Sequence, residues 1–303
     1  MTIVNALSVD VEDYFQVSAF NDVVPYAAWD QFERRVEANT MRLVDLFDRH
    51  EVKATFFVLG WIADRHPKLV QELHLRGHEV GSHGYAHRTL DGYSPAEFRD
   101  EIRRAKAVLE DLTQQPVWGY RAPSFSVTAR TLWALDVLAE EGFRYDSSIF
   151  PIRHDRYGIP DAPRFPYVVR AGERGLHEFP MSTVSPGGLI NLPVAGGGYL
   201  RWFPLGVTRW AIRHLNRREG RPAMLYVHPW EIDPEQPRIP ARVRSRLRHY
   251  RNLAATESRL DALLREFRWG TIRSVLKLGG GSTRIGAAAN GAEQVEPGIR
   301  HQE

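Results

Sequence analysis

Cysteine is absent from all 303 residues. The chain can therefore form no disulfide and present no thiolate, so any metal site must be built from His, Asp or Glu. Long apolar runs are missing too: no window reaches the roughly 18 consecutive apolar residues of a membrane helix. The opening Met1-Thr2-Ile3-Val4-Asn5-Ala6-Leu7 has no basic start, no extended apolar centre and no small-residue cleavage site before it meets acidic residues. The expectation is a cytoplasmic chain with no transmembrane segment.

Excess charge of one sign is also scarce, at 40 Lys and Arg against 37 Asp and Glu. No nucleic-acid signature accompanies it, which argues against a nucleic-acid partner. Arginine is nonetheless crowded late in the chain, at Arg238, Arg242, Arg244, Arg246, Arg248 and Arg251. A solvated helical face explains this most simply; an anionic glycan or a membrane surface is the alternative.

What is present is a chain of 43% apolar residues, enough for one large buried core. Residues 3–9 read as a short buried strand, 30–50 as a helix and 54–59 as a second apolar strand, which makes a βαβ unit. The alternation continues with a helix at 67–76, a strand at 79–81 and a helix at 95–113, each helix opened by a proline. A strand at 117–121, a helix at 128–141 and a strand at 143–145 follow. A Pro/Gly-rich stretch beyond 150 reads as loops and short strands. Order returns as a helix at 204–218, a strand at 224–227 and a helix at 241–267. Residues 1–278 thus form one domain, and 279–303, rich in Gly and Ala without periodicity, are expected to be a disordered tail. Repeated βα units predict an α/β fold with a mostly parallel sheet and a distorted (β/α) barrel closure, which puts ligands at the C-terminal strand ends.

Four of those ends carry reactive side chains: Asp10, Glu12 and Asp13 after the first strand, His83 and His87 after the third, Arg121 after the fourth, and His228 after the 224–227 strand. Two imidazoles four residues apart can meet on one side of a turn, and two His with a carboxylate leave a divalent ion open to solvent. Taken singly, each has a structural explanation: a cap for the acids, an ion-pair partner for Arg121, a satisfied core imidazole for His228.

Longer stretches carry a resemblance. Ala54-Thr-Phe-Phe-Val-Leu-Gly60, His66-Pro67, Gly77 through His87, Gly119-Tyr-Arg121-Ala-Pro123, Gly142 through Ser148 and Leu225-Tyr-Val-His228-Pro229 resemble the polysaccharide deacetylases with a NodB homology domain, carbohydrate esterase family 4. Ser8 through Gln16, Gly196 through Arg201 and His249 through Leu253 narrow it to the branch associated with exosortase exopolysaccharide loci. The family implies a metal-dependent hydrolase that removes N-acetyl groups from amino sugars of a polysaccharide or its precursor. The branch implies exopolysaccharide biosynthesis and an association with membrane-bound machinery.

In this reading His83, His87 and an acid of the first motif hold a divalent metal. Zn2+ is the first choice, and Co2+, Mn2+ and Ni2+ suit the same donors. The family implies Asp10 as general base, oriented by Arg121, and His228 as general acid. Where the family has adjacent aspartates, this chain has Asp10-Val11-Glu12-Asp13. Strand alternation favours Glu12 as the ligand, with Asp13 next. Asp146 and Glu231 are candidates for tuning His228, and Tyr199, Trp202 and Trp230 for lining a sugar cleft. Other amide or O-acetyl hydrolysis, or glycan binding without turnover, remain as alternative activities.

Overall fold

The computed structural model of the chain describes residues 2–169 and 175–279. The tail expected to be disordered lies, from 280 onward, outside the described residues.

The strands are β1 (Val4–Val11), β2 (Thr55–Val58), β3 (Glu79–Ser82), β4 (Gly119–Tyr120), β5 (Tyr145–Asp146), β6 (Tyr167–Val169), β7 (Leu176–Glu178), β8 (Thr183–Val184), β9 (Leu192–Pro193), β10 (Met224–Val227) and β11 (Arg268–Gly270). The helices are α1 (Val36–Arg49), α2 (Gly60–Arg65), α3 (Pro67–Leu75), α4 (Pro95–Thr113), α5 (Trp133–Glu140), α6 (Gly198–Trp202), α7 (Leu205–Arg217), α8 (Val243–Tyr250), α9 (Leu253–Glu266) and α10 (Ile272–Val275).

Nine strands form one sheet in the order β10-β1-β2-β3-β4-β5-β7-β6, with β11 also pairing with β1. Every pairing is parallel except β6 with β7. β1 is buried along its whole length beyond Val4, as a parallel strand covered on both faces must be. The sheet curls into a half-barrel, so the expected α/β barrel-like class holds. Among the described residues its end strands β10 and β6 do not pair, so the barrel is open.

Local chemistry explains the elements. Ser94 and Glu97 form a reciprocal capping box at the start of α4, and Pro95 fills its first position, where a missing N–H costs nothing. α1 turns Leu43, Val44, Leu46 and Phe47 onto the sheet, where Phe47 meets Phe56 of β2.

One predicted helix divides. The stretch expected to run from 241 to 267 breaks between α8 and α9, because Asn252 adopts a left-handed conformation and its Nδ2 donates to the Arg201 carbonyl at 2.7 Å. The helix predicted at 30–50 begins at Val36, preceded by a 3-10 turn over Tyr26–Gln31.

Candidate metal centre and catalytic cleft

The C-terminal ends of β1, β3 and β10 meet at a cleft of about 480 Å3 that Asp10, Glu12, His83, His87, His228 and Trp230 help to line. That volume suits one or two sugar rings. Asp10 lies in β1 and Glu12 one residue past its end; two residues apart, they face the same cleft, and both are buried.

The loop after β3 carries the two histidines. His83 stands one residue beyond the strand, and a positive φ at Gly84 and at His87 folds the chain back so that the rings lie 5.3 Å apart. Backbone amides of Tyr85 and Ala86 donate to the half-buried Glu101 carboxylate of α4, which pins the loop. Sequence reasoning passed over Glu101, because nothing in its helix distinguishes it from a surface acid.

Glu12, His83 and His87 each present a ligand atom, and these atoms lie within 4.8 Å of one another. His83 Nδ1 lies 2.8 Å from the Arg121 carbonyl, which can only accept; the proton therefore sits on Nδ1 and the lone pair on Nε2. Glu12 Oε2 lies 2.7 Å from His87 Nε2, yet it is buried without an aligned hydrogen-bond donor. An orphaned carboxylate oxygen beside two imidazoles is a donor set that suits a divalent cation. Burial alone would raise the Glu12 carboxyl, but His87, His228 and His83 hold it well below the usual carboxylate range.

Asp13, the other candidate ligand, is elsewhere. Its Oδ2 accepts from the Arg35 and Val36 amides at 2.8 and 3.0 Å, and its Oδ1 from Tyr14 at 2.9 Å. It ties the end of β1 to the start of α1, so Glu12 alone of the two acids joins the histidines. Burial pushes the Asp13 carboxyl up to about 6, against the pull of those amides.

Arg121 is wholly buried and spends its guanidinium on the site. Nη1 donates to Asp10 Oδ1 at 2.6 Å and to Ser8 Oγ at 2.7 Å, and Nε and Nη2 go to the carbonyl and hydroxyl of Ser147. Its plane lies over Phe57, 4.3 Å from the ring centre. Asp10 Oδ1 is thus occupied, and Oδ2 faces His228 Nε2 at 3.9 Å.

His228 closes the other wall. Its Nε2 lies 3.4 Å from Glu12 Oε1 and its Nδ1 lies 3.3 Å from Glu231 Oε2. Burial lowers its pKa, but Glu231, Glu12 and Asp10 outweigh that and raise it to about 9. Of the two candidate tuning residues the structure brings Glu231 to His228. Asp146 lies instead in a buried cluster with Ser148 and Glu178, behind Arg121.

Two motifs without an assigned role converge here. Arg201 Nε donates to Glu231 Oε1 at 2.7 Å, while its Nη1 reaches the carbonyls of Arg248, His249 and Arg251. Trp230 stacks between His228 and His249 and donates its Nε1–H to Glu12 Oε1 at 3.2 Å. Of the three aromatics expected at a sugar cleft, Trp230 lines it. Tyr199 makes a hydroxyl contact with Tyr157, and Trp202 lies at the surface under Arg251.

Residues 20–145 match the family model described as polysaccharide deacetylase, and residues 147–277 match one described as domain of unknown function (DUF3473). His83, His87 and Arg121 lie in the first match and His228 in the second, while Asp10 and Glu12 precede both. A peptidoglycan-N-acetylglucosamine deacetylase of Bacillus cereus is 36% identical over 86 residues, 28% of this chain and 29% of that protein. A peptidoglycan deacetylase of Helicobacter pylori is 28% identical over 137 residues, 45% of this chain and 42% of that one. The chain therefore spans under half the length of these curated relatives. A crystal structure from Mycobacterium smegmatis that carries the name polysaccharide deacetylase superposes with a TM-score of 0.58 at 22% identity, over 95% of each chain, and shares the fold.

Proposed function

We propose that the protein is a metal-dependent hydrolase that removes N-acetyl groups from amino sugars of a glycan, a reading supported by the match of residues 20–145 to the polysaccharide deacetylase family model. The observation that carries this is the convergence of Glu12, His83 and His87 beside the Asp10–Arg121 pair and His228, in a cleft sized for sugar rings.

Glu12, His83 and His87 would hold a divalent cation, Zn2+ by first choice, which would supply Lewis acidity toward an acetamide carbonyl and toward water. The remaining work belongs to the chain. Asp10 accepts the proton of the attacking water on Oδ2, the oxygen Arg121 leaves open, and Arg121 fixes the carboxylate in place. His228 gives the proton on Nε2 to the sugar amine, which leaves poorly unless protonated. Glu231 and the Trp230 face hold that imidazole charged and oriented. We further propose that the glycan is an exopolysaccharide or its precursor, on the resemblance of the Ser8–Gln16, Gly196–Arg201 and His249–Leu253 stretches.

The test is acetate release from a panel of N-acetylated oligosaccharides by protein reconstituted with Zn2+, beside His83→Ala, Asp10→Asn and a chelator control. Release that all three controls abolish is the expected result. Stoichiometric metal binding with no acetate from any N-acetyl sugar would overturn the deacetylase assignment, and O-acetylated sugars and cyclic amides would be assayed next. No metal binding at all would overturn the mechanism.

A further inference from the structure

We propose that α8 and its flanks form a docking surface for an anionic phospholipid bilayer. Residues 238–251 hold six arginines and no acidic residue. α8 turns inward chiefly through His249, which is buried against Trp230 and Phe20 and whose Nε2 lies 2.6 Å from Gln236 Oε1. Its opposite face is bare. Val243 and Leu247, four residues apart and so in one stripe, are 69% and 58% exposed. Arg244 and Arg248, also four apart, form the neighbouring stripe, and both are exposed.

These arginines are mostly uncommitted. Arg242 has Asp22 at 3.6 Å, Arg238 lies over Tyr250 and Arg251 over Trp202. Arg244, Arg246 and Arg248 have no carboxylate at ion-pair distance among the described residues. Trp202, 43% exposed beneath Arg251, adds an indole at the edge of the patch.

Charge and apolar surface together select the occupant. A polyanion would use the arginines and leave Val243 and Leu247 in water, and a second copy of this chain would meet like charge with like. An anionic bilayer satisfies both stripes: headgroups take the guanidiniums, the acyl boundary takes Val243 and Leu247, and the indole sits at the interface. Arg248 also lines the cleft, so a docked α8 brings the cleft mouth to the lipid surface.

The experiment is co-sedimentation of the full chain with vesicles of phosphatidylcholine alone and of phosphatidylcholine mixed with phosphatidylglycerol, for the parent, Arg244→Ser/Arg246→Ser and Val243→Ser/Leu247→Ser. All four side chains are exposed, and unchanged circular dichroism verifies each fold. The parent is expected on the mixed vesicles only. The arginine pair should weaken partition about 25-fold, at about fivefold per cation, and the apolar pair about tenfold. No binding to mixed vesicles overturns the proposal. So does binding that the apolar pair leaves unchanged and soluble dextran sulfate competes away, which would mark a polyanion site. Sedimentation does not read turnover, so its result stands whether or not the deacetylase assignment does.

Discussion

Replacing Arg121 by methionine removes a fully buried cation that makes four hydrogen bonds, to Ser8, Asp10 and twice to Ser147, and leaves Asp10 without its ion-pair partner. Breaking a buried ion pair from one side costs about 3–5 kcal/mol, because the remaining charge stays out of water without a partner. Asp10→Asn breaks it from the other side while keeping an acceptor at Oδ1, and the guanidinium then loses its counter-charge. Each single variant should therefore be destabilised by about 3 kcal/mol or more, whereas Asp10→Asn/Arg121→Met removes both charges and should fall short of the sum by about 2 kcal/mol or more. The assay is urea denaturation of metal-free protein in chelator, followed by both far-ultraviolet dichroism and tryptophan fluorescence so that coincident transitions establish two-state behaviour. Losses that add to within about 0.5 kcal/mol would refute the reasoning, since they would mean that the 2.6 Å contact carries no coupling.

Glu231→Gln takes away the carboxylate that charges His228 and leaves buried Arg201 without its partner; kcat should fall with little change in KM, and thermal stability should drop by about 3 kcal/mol or more. His78 has its pKa lowered by burial, helped by Lys53, from 6.5 to about 4. The folded state therefore favours neutral His78, so this stability is complete above about pH 6.5 and is lost as pH falls toward 4, by about 3 kcal/mol in all. His78→Asn, which keeps an acceptor for the Ala54 amide, should flatten that limb of a urea-midpoint titration. Gly196 has φ +114° and would set a Cβ 2.2 Å from the Tyr226 carbonyl, so Gly196→Ala should push the Arg201 segment off β10, cost about 1–3 kcal/mol by urea midpoint and lower activity.

Much of this was legible in the sequence where the signal is local. α4 begins and ends at the predicted residues because Ser94, Pro95 and Glu97 encode its start within four positions. β10 likewise matches its apolar run. The placement of Glu12 beside the histidines follows from strand alternation, whereas the role of Asp13 depends on amides 22 and 23 residues away. Arg201 could not be read, since an arginine between Leu200 and Trp202 gives no hint that its head will be buried between Glu231 and three carbonyls. β6 through β9 span two or three residues each, too few for periodicity to register. The division between α8 and α9 was hidden because it is imposed by a contact with Arg201 and by no breaker other than Asn252.

The order of strands also sets a timetable. β1 is the first strand of the described chain to leave the ribosome, yet one of its partners, β10, aligns Tyr226 with Ser8, and another, β11, aligns Arg268 with Val4. At about 5–20 residues per second, the first strand waits on the order of ten seconds or more for that neighbour to be made. Until then its apolar run has an unpaired edge, and Asp10 and Glu12 have no His228 to face. The half-finished chain therefore exposes that edge, and the reactive centre can come into being only after β10 and the His228 that follows it have been made.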